Sequence, residues 1–538
     1  MNPAVAPPYP IIIGGTDGDG IRASFGHRTV PWLLDRYRTA VPDKVFLTWE
    51  PHTGVAARSW TYEEFGVVVD RLAAGLQARG ITPRERVVLL MDNCPDFLAC
   101  WSAIVSIGAV AVCLNTRSSA DELTYFDEHA TPRAALVGAG FAETVATAMP
   151  GLSWTVSSTG TDAFGDSRDG ALGELTTVAE TLTPVSIDPM APATIQYTSG
   201  TTARPKAVVW THTNCLWAAR TNAAHAGLRS DDTGLITLPL FHTNALGYSF
   251  LGLLWVGASI VLTPGFSVSR VWDVSVRHGC TWVSVVSFML RALVDRPVPD
   301  EHRYRHWSGS AAVSWGPTGI RTTGWFGMTE TVSHPVVSEL AHPDPDGTMG
   351  VQAPEYAVAV VDEDGRPVPP GAGGELWVRG VAGVSLFAGY YRNDEATRDA
   401  FTESGWFRTG DRVCQDRTGQ FRYVERAKDM LKVGGENVAA AEVERVVATV
   451  LGVREVAVVA APDRMLGEVP VAFVIAAGSE DESRLASDID AMCVRMLADF
   501  KRPRRVLFVD ELPRSTLNKI AKARLRARLA DEVEAPAR

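Results

Sequence analysis

Cysteine is scarce in this chain. There are seven in 538 residues, an odd number, scattered, with no Cys-x-x-Cys pair. That argues against a disulfide-stapled module and against a cysteine zinc site, and points to reduced thiols in a cytoplasmic protein. Basic charge is not in excess either. Lys and Arg total 51 against 62 Asp and Glu, a net charge of −11. Neither nucleic acid nor an anionic membrane is therefore expected as a partner. Unbroken apolar runs are missing as well. The uncharged stretches 97–114 and 245–263 are each interrupted by a glycine, Gly108 and Gly257, and resume as β-branched segments. A buried helix, a glycine stop and a buried strand explain both without a membrane span. Residues 1–15 carry prolines and no basic start, so a secretory signal is not expected. His302 and His306 have i,i+4 spacing but no evident third ligand, and are expected as a solvated pair rather than a metal site.

What is present is ordinary for a globular enzyme: 46% hydrophobic and 21% charged residues. The length exceeds what one core can organise, so at least two domains are expected. Helical periodicity covers 62–78, closed by Gly80, and then 97–107 and 123–129. Strand patterns cover 86–91, 109–114 and 134–137. Repeated βα units predict an α/β fold with largely parallel sheets covered by helices. Residues 150–189, rich in Ser, Thr, Gly and Asp, read as a variable connection with exposed loop. Hairpin-like segments at 355–361 and 374–379 suggest a small β region. A helix over 441–450 and strands over 456–460 and 469–476 suggest a compact C-terminal α+β domain.

The stretch richest in chemistry is Tyr197-Thr198-Ser199-Gly200-Thr201-Thr202-Ala203-Arg204-Pro205-Lys206. It joins two apolar runs, 193–196 and 207–210, and so predicts strand, loop, strand. Four hydroxyls (Thr198, Ser199, Thr201, Thr202), the backbone N–H groups around Gly200 and the Lys206 cation are what a triphosphate needs. It is not a Walker A loop, because no glycine immediately precedes Lys206 and no helix pattern opens after it. Downstream, His242 follows a strand expected over 235–239 and precedes an apolar helix. α/β proteins place ligands at such strand ends, although a satisfied, partly buried histidine fits the same pattern.

The loop resembles the phosphate loop of the adenylate-forming superfamily: acyl-CoA synthetases, nonribosomal peptide adenylation domains and luciferases. The resemblance extends over nearly the whole chain. Trp307-Ser308-Gly309-Ser310-Ala311 fits the superfamily's small-residue turn. Trp325-Phe326-Gly327-Met328-Thr329-Glu330 fits its Tyr-Gly-x-Thr-Glu signature, with Phe326 for Tyr. Trp406–Asp411 and the run from Phe421 to Asn437 fit its ribose and hinge motifs, and Leu512–Ile520 fits its tail motif. The subfamily most similar is that of carnitine/crotonobetaine-type acid–CoA ligases. The resemblance implies a domain 1–425 that binds AMP and a mobile lid domain 426–538. It implies ATP and Mg²⁺, with CoA as co-substrate, and a small-molecule acid as substrate. Thr198 to Thr202, Lys206, Gly309, Ser310 and residues 325–329 would line the nucleotide site. Glu330 would hold Mg²⁺, with Thr201 as a further oxygen ligand. Asp411 and Arg426 would anchor the ribose, Asp429 would be the hinge, and Lys519 the catalytic lysine. His242 would lie at the seam between nucleotide and acyl pocket. A monomer or homodimer is expected.

The chain departs from the pattern in places. Ala203, Ala207, Glu425 and Asn518 stand where glycines are usual, and the segment between Gly309 and Phe326 is too short and Gly/Pro-rich for the usual helix. Trp315 and Trp325 there would narrow the acyl pocket, and Ala439-Ala440-Ala441 alters the thiol site. Two alternatives to the ligase follow. One is a diazotase in natural-product biosynthesis that activates nitrite without CoA. The other is a non-catalytic scaffold, which the retained Lys206, Glu330, Asp411, Arg426 and Lys519 disfavour.

Overall fold

The computed structural model describes residues 25–52, 54–165, 171–177, 181–198, 204–293, 296–309, 311, 313–314, 320–342, 344–426, 430–477, 481–513, 520 and 522–534. Alternating apolar strands and amphipathic helices close into two large sheets, as the βα pattern predicts. One sheet has seven strands, running 389–390, 206–211, 192–198, 110–113, 86–90, 134–138 and 154–158 in spatial order. Its centre is parallel, and its antiparallel side is the hairpin Pro192–Thr198/Lys206–Thr211. The other sheet has ten strands, and its core of 45–49, 259–262, 233–236, 282–284, 306–309 and 321–326 is parallel throughout. Buried parallel strands need apolar side chains on both faces. Val87–Leu90 and Ala111–Val112 supply them, all 2% exposed or less.

Helix Tyr62–Ala78 shows how local sequence sets an element. Thr61 accepts a hydrogen bond from the Glu64 N–H while the Glu64 carboxylate accepts from the Thr61 N–H, a reciprocal cap. Phe65, Val69, Leu72 and Leu76 recur on one buried face. Gly80 then turns the chain at φ +82°, where a side chain would be strained. Gly108 and Gly257 end their helices in the same left-handed region, and each is followed by a strand, Val110–Cys113 and Ser259–Leu262.

Two expectations need correction. Residues 150–189 are not only connection: Trp154–Ser158 forms a parallel edge strand on Ala134–Gly138. Its mixed polarity hid it, since an edge strand needs apolar cover on one side only. His302 and His306 are not a solvated helical pair. His306 starts the buried strand His306–Gly309, and burial pushes its imidazole down to about 4. Among the described residues no cluster of His, Cys, Asp and Glu could hold a metal by itself, and no helix is long and apolar enough to cross a membrane.

Beyond these sheets, Ala357–Val361, Gly373–Arg379, Phe407–Gln415 and Phe421–Arg426 form an antiparallel four-stranded sheet. A five-stranded sheet then begins at Met430, with Gly467–Ala476 at its centre and Val453–Asp463 as the edge strand paired along it. It has its own apolar core, in which Leu431, Val443, Val458, Val474 and Ile489 pack together. This C-terminal unit is called the smaller lobe below, and the rest the larger lobe.

Candidate active site

The hairpin Pro192–Thr198/Lys206–Thr211 holds both feet of the hydroxyl-rich loop. Aromatic side chains from helix Ala120–Ala130 brace it: the Tyr125 hydroxyl donates to the Pro205 carbonyl at 3.1 Å, and the Tyr197 hydroxyl and His129 Nδ1 lie 2.8 Å apart. The Arg204 guanidinium lies 4.8 Å from the Tyr125 ring centroid. Thr198 ends the first strand. Ala207 lies inside the second and does not adopt positive φ, so alanine there costs nothing in backbone strain. Ser199, Gly200, Thr201, Thr202 and Ala203 lie outside the described residues.

Lys206 Nζ lies 4.7 Å from the Tyr390 ring centroid, and the Tyr390 hydroxyl donates to Glu330 Oε1 at 2.9 Å. The foot of the loop is thus joined to the Thr329-Glu330 turn through one tyrosine. Glu330 is 5% exposed. Its carboxylate and the neighbouring Thr329 hydroxyl are oxygen donors, the ligand type that Mg²⁺ takes. Strand Arg321–Phe326 delivers this turn at its C-terminal end, where open α/β sheets bind ligands. Trp210 Nε1 donates to the Thr329 carbonyl at 2.8 Å. The Thr243 hydroxyl lies 2.8 Å from Gln196 Oε1 and 2.9 Å from the Thr329 hydroxyl. Gln196 Nε2 is buried beside them without a partner among the described residues.

His242 stands at the end of the segment after strand Thr233–Ile236, before a π-helical stretch, Asn244–Leu251. π-turns widen a helix and often mark functional sites. His242 Nε2 lies 3.0 Å from both carboxylate oxygens of Glu436, which belongs to the smaller lobe. Burial pulls the imidazolium down, but the Glu436 charge and hydrogen bond outweigh it and raise the pKa above the usual 6.5. Burial likewise opposes the Glu436 carboxylate, and His242 outweighs it, so that acid is lowered below its usual 4.5. Asn115 Nδ2 also donates to Glu436 Oε1, at 3.4 Å. The tip before Glu436, Gly434-Gly435, has φ of +59° and +96°. A Cβ on Gly435 would sit 3.6 Å from the Phe288 ring of the larger lobe.

Asp411 is buried, faces Arg426 across the strand pair Phe407–Gln415/Phe421–Arg426, and accepts from the Tyr423 hydroxyl at 3.0 Å. For Arg426 and Glu425 the backbone alone is described. Gly309 ends strand His306–Gly309, where a Cβ would sit 3.1 Å from the Val285 carbonyl oxygen. Strand Arg321–Phe326 carries Trp325 and Phe326, and Phe326 pairs with Val336. Trp325 stacks on His334 with ring centroids 4.0 Å apart and planes at 11°, and Tyr248 abuts His334 at 4.3 Å. Gly327 leaves room for both, since its Cβ would sit 2.7 Å from the Tyr248 hydroxyl. The Met328 carbonyl lies 3.5 Å from that hydroxyl. Ser310, Trp315, Asn518, Asp429 and Lys519 lie outside the described residues. Sequence reasoning missed Tyr390 and assigned no role to Glu436. Tyr390 has no local pattern of its own, and Glu436, although inside the run that fits the hinge motif, shows its partner only through the hairpin that carries it.

Known proteins agree with this architecture. Residues 34–391 match the AMP-binding enzyme family and residues 442–519 the AMP-binding enzyme C-terminal domain. The chain belongs to the AMP-binding enzyme family. It is an adenylate-forming, AMP-forming ligase. It is 30% identical, over 518 residues, to the crotonobetaine/carnitine–CoA ligase of Proteus mirabilis, covering 93% of this chain and 99% of that ligase. Among solved structures it is similar to a double mutant of the o-succinylbenzoate CoA synthetase of Bacillus subtilis, bound to a product analogue. That match has 26% identity and a TM-score of 0.78, over 93% of this chain and 99% of that one. ATP-bound MatB of Rhodopseudomonas palustris matches at 27% identity with a TM-score of 0.67, over 94% of this chain and 100% of that one.

Proposed function

We propose that this AMP-forming ligase joins a small carboxylic acid to CoA in two half-reactions at one site, with residues 1–425 as the nucleotide-binding domain and 426–538 as the lid. In the first, a carboxylate oxygen attacks the α-phosphorus of ATP and pyrophosphate leaves. In the second, the thiol sulfur attacks the acyl carbon, its proton passes to solvent or base, and AMP leaves. The observation that carries the reading is the link Lys206–Tyr390–Glu330, which ties a triphosphate-type loop to a buried acid. Lys206 offers positive charge to the phosphates, and Thr329 offers a hydroxyl to the α-phosphate. Asp411 accepts from the ribose hydroxyls, and Arg426 assists. Glu330, with Thr201, would hold Mg²⁺, which when bound would neutralise phosphate charge. Lys519 stabilises the charge developing on the α-phosphate, a kind of assistance typically worth about 10²–10³-fold. A turn about Asp429 exchanges Lys519 for the Gly434–Glu436 hairpin.

Two observations sharpen the reading. Glu436 on His242 is the contact expected when the hairpin, not Lys519, faces the site. The higher TM-score with a product-analogue complex than with an ATP complex, at nearly equal identity, supports the same arrangement. The stack of Trp325, His334 and Tyr248 fills space beside the Thr329 turn, which favours a short acid. The relatives' names favour the ligase and lend nothing to the nitrite alternative. The test is ATP–pyrophosphate exchange with acetate, butyrate, crotonate, octanoate, benzoate and nitrite, each followed by CoA addition. Exchange with a short carboxylate and then a thioester is expected. Exchange with nitrite alone, or with no acid, contradicts the proposal.

A further inference from the structure

The contact between Glu436 and His242 is the visible end of a larger docking surface. Residues 115–122 of the larger lobe meet residues 496–501 of the smaller one. Arg117 pairs with Asp499 and lies 4.5 Å from the Phe500 ring centroid. The Ser119 hydroxyl donates to the Met496 carbonyl at 2.9 Å. Both members of the Arg117–Asp499 pair are exposed, at 42% and 59%, and exposed pairs contribute little. The third contact is of another kind. Lys501 Nζ donates to Glu122 of the larger lobe and, at 2.9 Å, to Glu442 of its own lobe. The three side chains are 7%, 7% and 4% exposed. Burial alone would lower the Lys501 ammonium, but Glu442 and Glu122 outweigh it and keep it charged.

Buried charges are costly unless paired, so this triad is sensitive to separation. Lys501 and Glu442 travel together, and Glu122 does not. The same loop of the larger lobe carries Asn115, which reaches Glu436. The seat of the smaller lobe and its catalytic hairpin are therefore fixed to one short segment.

We propose that Glu122 is a positioning residue for the second half-reaction: by receiving Lys501 it seats the smaller lobe so that Glu436 rests on His242. This rests on the two-step reading above. Among the described residues the Glu122 side chain bonds to Ser119 and Lys501 and to none of the groups assigned to adenylation.

The substitution that isolates this role is Glu122→Gln. Glu122 Oε2 also accepts from the Ser119 N–H at 2.8 Å, capping helix Ala120–Ala130. Glutamine keeps that cap but not the charge. Lys501→Met is the stronger variant, since it leaves Glu122 and Glu442 facing each other without a cation. Full-length protein without ligand would be compared by hydrogen exchange, and both half-reactions followed with the best acid of the panel above. Glu122→Gln should speed exchange at 115–122 and 496–501 roughly tenfold, a coupling typical of linked sites, and Lys501→Met more. In Glu122→Gln, thioester formation should slow by a similar factor, with ATP–pyrophosphate exchange and the melting temperature unchanged. Unaltered hydrogen exchange in both variants, or equal slowing of both half-reactions, would overturn the proposal. If no acid supports pyrophosphate exchange, the functional reading fails, and hydrogen exchange still decides the role of Glu122.

Discussion

The larger lobe brings Thr329, Glu330 and His242 to the site on the ends of buried parallel strands. The smaller brings Glu436 on the tip of a hairpin, Met430–Val433/Glu436–Ala439, whose turn is two glycines in positive φ. The first set is locked: Glu330 is buried and bonded to Tyr390, and Trp210 holds the Thr329 carbonyl. Rearranging those groups would break strand pairing and core packing together. The hairpin, by contrast, meets the larger lobe through a few polar contacts. This is the contrast that the proposed function requires, with one lobe to hold a nucleotide in fixed geometry and the other to be exchanged over it.

Four substitutions or conditions would break or sharpen this contrast. The largest effect should come from the locked side. Glu330→Gln should reduce ATP–pyrophosphate exchange by roughly 10²–10³-fold and raise the Mg²⁺ concentration needed, since a neutral amide is a poor ligand for a hard cation. Exchange rates over a magnesium titration measure both. Next, Trp325→Ala removes a ring that is 6% exposed and stacked on His334, and should cost roughly 3–5 kcal/mol in urea unfolding. The same variant should shift the preferred acid toward longer chains. Glu436→Ala should spare pyrophosphate exchange and slow thioester formation by roughly tenfold, the loss expected of one charge-assisted pair. Equal loss of both would mean that the hairpin is part of the fixed floor.

The smallest effect is on pH. The raised His242 contributes docking that is complete below its usual 6.5 and is lost as pH rises through its raised value. The lowered Glu436 contributes docking that is complete above its usual 4.5 and is lost as pH falls through its depressed value. Docking should be strongest between the two. The thioester rate, normalised to Glu436→Gln to remove the thiol's own titration, should fall a few-fold on the alkaline side of that window.

Much of the locked side was legible in sequence. Helix 62–78, the glycine stops at Gly108 and Gly257 and the strands flanking the 198–206 loop follow from period and punctuation alone. The loop's chemistry was legible because hydroxyls, glycine and lysine are adjacent in the chain. What could not be read was whatever depends on distant pairing. Tyr390 reaches Glu330 only because Gly389–Tyr390 adds as an edge strand to Lys206–Thr211. Glu436 meets His242 across 194 residues of chain. His306 looked solvated because histidine spacing says nothing of the buried strand on which it lies. The edge strand Trp154–Ser158 was missed because one-sided cover leaves no apolar run.

The central claim is that one site is served in turn by two parts of one mobile lobe. The most direct measurement is on Lys519→Ala, assayed separately for ATP–pyrophosphate exchange and for CoA transfer from preformed acyl adenylate. The account predicts exchange reduced by roughly 10²-fold or more, with CoA transfer near the wild-type rate. Exchange at the wild-type rate, or equal loss in both half-reactions, would contradict it.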